Sequence, residues 1–189
     1  MKNKSWILIL VAAIVLIGFY VVGVQRSLVN LSEEVNASWG DVEVQYQRRA
    51  DLIPNIVETV KAQANKEQEI FTQLADARAK LAGAGTIQDE INANAEISNA
   101  LGRLLAVVEN YPELKQSQGF QDLRVELEGT ENRIAVARKN YNDMVKEYNK
   151  KIKVFPTSIA AGILGYSDEY PYIQADAGAE KAPNVNFGK

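Results

Sequence analysis

The residues of this chain that could do chemistry are a few charged groups. Arg48, Arg49 and Asp51 fall within one helical turn, and Glu131, Arg133, Arg138 and Lys139 cluster far downstream. Acid–base catalysis by such groups needs carboxylates converging in a cleft with displaced pKa values. A serine nucleophile needs a recognisable motif, and Ser27, Ser32, Ser38, Ser98, Ser117, Ser158 and Ser167 stand in none. The chain has no histidine and no cysteine. That removes imidazole and thiolate metal sites, cysteine nucleophiles and every histidine-based triad. It also removes the Glu-x-x-His pairs of di-metal helical bundles. No catalytic, cofactor or metal residue is therefore expected.

The structural alternative is a buried arginine paired with a carboxylate, which fixes helix register more than it adds stability. Arg49 is the candidate, with Asp51 (locally) or Glu131 (across helices) as its partner. Arg48, Pro54 and Arg138 complete the set of structural or interaction candidates. Gly83-Ala84-Gly85-Thr86 contains a G-x-G, but it follows a helical pattern and lacks the rest of a phosphate-loop fingerprint, so it reads as a helix stop and turn.

These groups are positioned by helices. In Trp39–Lys61 apolar residues recur at helical spacing, Trp39, Val42, Tyr46, then Ile53, Ile56 and Val60, with Arg49 on the same line. Pro54 has no N–H for the Ala50 carbonyl and costs about 3 kcal/mol inside a helix. The pattern predicts a helix to about Ala50 and a bend or restart, Asp51 capping a second segment that runs to Ala82. One long kinked helix over 6–82 is the competing reading. Upstream the line runs Leu28, Leu31, Val35, Trp39, with a stutter at 31–35–39.

Trp6–Val24 carries no charge and no proline, and its 19 residues match a hydrocarbon core about 30 Å thick. Trp6 and Tyr20 sit toward its ends, where amphipathic rings favour headgroups. A cleaved signal peptide is the alternative, but no small-x-small site follows, so a retained transmembrane helix is expected. Lys2 and Lys4 precede the span and Arg26 alone follows closely, which puts the N-terminus in the cytoplasm and the rest outside it, anchored to the cell (inner) membrane. Net charge is −3; with Lys2 and Lys4 set aside the remainder carries 19 − 24 = −5, which argues against a nucleic-acid partner.

After the turn, Thr86 and Asp89 make an imperfect capping box for a third helix that ends near Tyr111-Pro112. Its Asn- and Ala-rich first half (Asn92, Asn94, Asn99) is expected to be its looser end. A fourth helix begins near Phe120, with Leu123, Leu127, Thr130, Ile134, Ala137, Tyr141, Met144 and Tyr148 on one line and a stutter at 144–148–152. Matching the two stutters in height requires antiparallel first and fourth helices. That brings Phe155–Tyr166 close to the bilayer, where its Ile159, Ile163, Leu164 and Tyr166 enter the headgroup layer or cover the open end of the bundle.

The blocks W-G-D-V-E-V-Q-Y-Q-R-R-A-D-L-I-P-N-I-V-E-T-V-K, Y-P-E-L-K, G-T-E-N-R-I-A-V-A-R-K-N-Y-N-D-M-V-K-E-Y-N and Val154-Phe155-Pro156 resemble LemA-family proteins, and so does the order of parts from Ser5 to about Tyr166. The resemblance implies an all-α protein: a transmembrane helix followed by an up-and-down four-helix bundle with coiled-coil-like packing. The expected organisation is a charged start (1–5), the span (6–24), the bundle (25–155), an apolar C-terminal segment (156–173) and a disordered tail (174–189). The family has no established biochemical activity. The expected function is a membrane-anchored structural or adaptor protein that binds protein partners or itself; the alternative is a ligand-binding or enzymatic bundle with a polar core site. A sensor is disfavoured, since Met1–Ser5 offers no output domain.

Overall fold

The computed structural model describes residues 2–64 and 67–174. The expected disordered tail, from 175 onward, lies outside the described residues. The described chain is all-α: α1 (Lys2–Lys61), α2 (Gln68–Ala82), α3 (Ile87–Val108), α4 (Pro112–Gln116), α5 (Gln118–Lys153) and α6 (Thr157–Leu164). It forms two compact units, Met1–Val44 with Ala135–Tyr170, and Gln45–Ile134 with Pro171–Lys189. Both α1 and α5 pass from one unit into the other.

Pro54 neither ends α1 nor starts a new helix. It lies on the exposed side, inside a helix that continues to Lys61. The reason is energetic. Leu52, Ile53, Ile56 and Val60 flank the proline and are all buried. At roughly 1.5–3 kcal/mol per buried aliphatic side chain, they outweigh the ~3 kcal/mol that the ring and the missing N–H cost. The break comes after Lys61 instead, close to polar Gln63; Ala64 is buried there. The second helix is accordingly shorter than expected and Asp51 does not cap it.

In the second unit the C-terminal part of α1, α2, α3, α4 and the first half of α5 share one core, with Ile56, Val60, Leu74, Ile97, Leu104 and Leu114 at its centre. The α2–α3 pair is antiparallel: Lys80 Nζ meets Glu96 at 2.7 Å and the Arg103 guanidinium donates to Gln73 Oε1 at 3.2 Å. Thr86 caps α3, its hydroxyl oxygen accepting from the Asp89 N–H at 3.1 Å. Asp89 does not reach back to the backbone as a full capping box would. Its carboxylate accepts from the Thr86 hydroxyl at 2.7 Å. The turn α4 was not anticipated; Pro112 opens it, since a first-turn proline gives up no helical N–H.

In the first unit α1 and α5 run antiparallel. Trp39 and Tyr141 meet edge to face, ring centroids 5.0 Å apart. Tyr170 then links earlier residues of α1 to later ones of α5. Its hydroxyl lies 2.9 Å from Ser32 Oγ and 3.3 Å from Asn36 Oδ1, its ring stands on Tyr148, and the Asn149 carboxamide holds its backbone at both N–H and C=O. The buried line of α5 here is Ala137, Tyr141, Val145, Tyr148, Ile152. Val145 replaces the expected Met144, so the consecutive spacings of four fall at 137–141–145 rather than 144–148–152. The branched Val145 side chain is fully buried, and the longer Met144 is only half-buried.

Candidate functional site

The polar centre of the second unit is built on Arg49. Helical periodicity from Tyr46 through Ile53 turns this position inward, and its side chain is 2% exposed. The guanidinium fork spends its donors on two helices. Nη1 donates to Glu131 Oε2 on α5 at 2.6 Å; Nη2 donates to the Asn94 carbonyl on α3 at 3.0 Å and also to the Asn94 side-chain oxygen. Glu131 carries its charge at the rim, with a side chain 53% exposed, whereas Asn94 is buried. Thr130, next to Glu131, is buried as well and bonds its hydroxyl to the Leu127 carbonyl within α5.

The other candidates do not join this centre. Asp51 accepts from the Gln47 amide at 2.7 Å, stands 4.0 Å from Arg78, and is exposed. Arg48 lies 4.0 Å from Glu126, both about half exposed. Pro54 is exposed on α1, and Arg133 is exposed on α5. Arg138 and Lys139 belong to the first unit, where Arg138 is half-buried and Lys139 donates to Asp143 at 2.7 Å. That lysine holds the Asp143 carboxyl below its usual range. Lys115 does the same for Glu109, through a hydrogen bond and its charge.

Asn94 is the member that sequence reasoning missed. Its available signal was position: Asn94 stands between Ala93 and Ile97 on the inner face of α3, where an asparagine needs a partner. The Asn149–Tyr170 clamp was missed for the same reason, since Asn149 lies one residue past Tyr148 on the buried side of α5. Chemically, the Arg49 centre ties three helices with charge-assisted hydrogen bonds.

The chain is 29% identical over 179 residues to magnetosome protein MamQ 1 of Paramagnetospirillum magneticum, covering 81% of this chain and 66% of that protein. It is 28% identical over 167 residues to magnetosome protein MamQ of Magnetospirillum gryphiswaldense, covering 75% of this chain and 61% of that one. The chain thus spans a little under two thirds of the length of these relatives. Protein LemA of Metamycoplasma hominis is 24% identical over 157 residues, covering 82% of this chain and 72% of that protein. The LemA family profile matches residues 38–187, which take in Arg49 and the part of α1 around it, its Asn94 and Glu131 partners, and Asn149 and Tyr170; the chain belongs to the LemA family.

Proposed function

We propose that the chain is a single-pass, membrane-anchored helical protein with a structural or adaptor role, that it is not an enzyme, and that its helical surface binds protein partners or further copies of itself. The observation that carries this reading is α1. Its stretch from Trp6 to Phe19 exposes Leu8, Ile9, Leu16 and Phe19 with no protein against them, and the same helix continues without a break into the packed units. A helix this long and apolar is able to cross a membrane, and lipid tails would cover the side chains that protein leaves bare. Lys2 and Lys4 against Arg26 favour an N-terminus in the cytoplasm and a helical body on the far side of the inner membrane. The Arg49 centre supports a structural role, because Nη1 and Nη2 are both engaged by the protein's own Glu131 and Asn94.

The test is cross-linking in intact membranes before solubilisation, followed by capture of the tagged full chain. The expected result is discrete larger species that hold the chain with a second protein or a second copy. A chain recovered only as a monomer, at cross-linker levels that join a known membrane dimer, contradicts the adaptor reading.

A further inference from the structure

The α5–α6 corner leaves an apolar face uncovered. Val154, Phe155, Ile159 and Ile163 are all exposed, Phe155 and Ile163 at 76%, while Ala160 and Ala161 on the opposite side of α6 are buried. Ile159 and Ile163 are four residues apart in α6 and so share one side, and Phe155 is bare in the turn that leads into the helix. Along α5 the chain is also basic just before this corner, with Lys150, Lys151 and Lys153.

The height of this corner follows from the register of the first unit. Trp39 faces Tyr141, and both helices rise about 1.5 Å per residue. Lys153 therefore lies level with about residue 27 of α1, roughly one turn short of the end of the apolar stretch at Val24. Val24 is nonetheless only 5% exposed, whereas Leu16 and Phe19, further along the same stretch, are bare. Within this unit, the described chain left to lie beyond the level of Lys153 is 154–168, since Lys153 holds Glu169 at 2.6 Å. Tyr170 is itself tied back to Ser32 and Asn149. The α6 region is thus what remains to cover Val24, with its small alanines turned inward and its large apolar residues turned out.

We propose that α6 is an interfacial helix: Phe155, Ile159 and Ile163 enter the boundary between headgroups and acyl chains of the same bilayer that α1 spans. The proposal rests on the membrane-anchored reading of α1. The occupant of this face is lipid, because the face lies toward the bare apolar stretch of α1 and has Lys150 and Lys151 beside it, while Lys153 pairs with Glu169 at 2.6 Å; apolar residues flanked by lysines are the composition of helices that lie in a membrane surface. An anchor of this kind holds the first unit against the bilayer at two points, which restrains its tilt about α1.

The absence of native cysteine makes the experiment direct. Full-length chains carrying Ile163→Cys, Ile159→Cys, Leu16→Cys or Val125→Cys, each at an exposed position, are labelled with an environment-sensitive dye and reconstituted in phosphatidylcholine–phosphatidylglycerol liposomes. The expected result is blue-shifted emission at Ile163→Cys and Ile159→Cys, quenched by lipids with a nitroxide high on the acyl chain. Leu16→Cys is quenched by deeper nitroxides and Val125→Cys by neither. Quenching at Leu16→Cys with water-like emission at both α6 positions overturns the proposal and leaves the anchor standing. Blue-shifted emission at α6 that lipid nitroxides do not quench means protein covers the face, and overturns it too. No quenching at Leu16→Cys overturns the anchored reading and the proposal with it.

Discussion

Arg49 keeps a full charge inside the second unit because α3 and α5 each bring it an acceptor, and the two are not equivalent. Glu131 is half in water and Asn94 is not. Removing one partner of a buried pair typically costs ~3–5 kcal/mol, and water can reach Arg49's neighbour Glu131, so Glu131→Ala is expected near the lower end. At about 2–4 °C per kcal/mol for a chain of this size, the melting temperature in detergent should fall by on the order of 10 °C. Arg49→Met fills the space with apolar atoms but strands the Asn94 carboxamide, a loss of about 1–3 kcal/mol. Adding Asn94→Ala should then recover part of that loss, which circular dichroism melts of the three variants would show; no change in either single variant would mean the pair holds nothing. Tyr148 makes a second, pH-dependent prediction. Burial, and then neighbouring Tyr170, push its phenol above the ordinary value of 10.0. A raised folded pKa means the contribution to stability is intact below the unfolded pKa and lost as pH rises through the folded one. An alkaline absorbance titration should show a late-ionising component that Tyr148→Phe reduces, and that variant should lose stability less steeply above pH 10.0.

At the scale of elements, periodicity made the long helices legible, and the Thr86 cap and the Gly83 turn could be read from residue types. What could not be read were outcomes of competition. Pro54 is a helix breaker in isolation, yet tertiary burial of Ile53 and Ile56 keeps the helix whole. Val145 rather than Met144 faces inward because a neighbouring helix, invisible in the local pattern, chooses between adjacent residues. Asn94 looked like a weak helix residue and Asn149 drew no reading, and only the fold supplies the Arg49 fork and the Tyr170 backbone that make them core contacts. Arg49 itself was readable, because a charge on an apolar line is carried into the core by its neighbours and must find an acceptor there. Choosing Glu131 over Asp51 required the packing of α5. Since Pro54 is exposed and sits inside α1, Pro54→Ala restores the N–H to the Ala50 carbonyl at no packing cost. It should stabilise the protein by a good part of ~3 kcal/mol. A lower melting temperature instead would mean the core depends on a bend at that residue.

At the scale of the whole molecule, one helix carries the bare apolar stretch and also contributes to both packed units. α1 leaves its first stretch bare, then packs against α5 in the first unit and contributes Arg49, Ile53, Ile56 and Val60 to the second. Everything proposed for the chain, from partner binding to the α6 contact, depends on that bare stretch being in a bilayer. The decisive measurement is alkaline carbonate extraction of membranes from cells that express the full chain beside a version lacking residues 2–24. The full chain should stay in the membrane pellet and the shortened one should not. A full chain released into the supernatant like a peripheral protein would contradict the account.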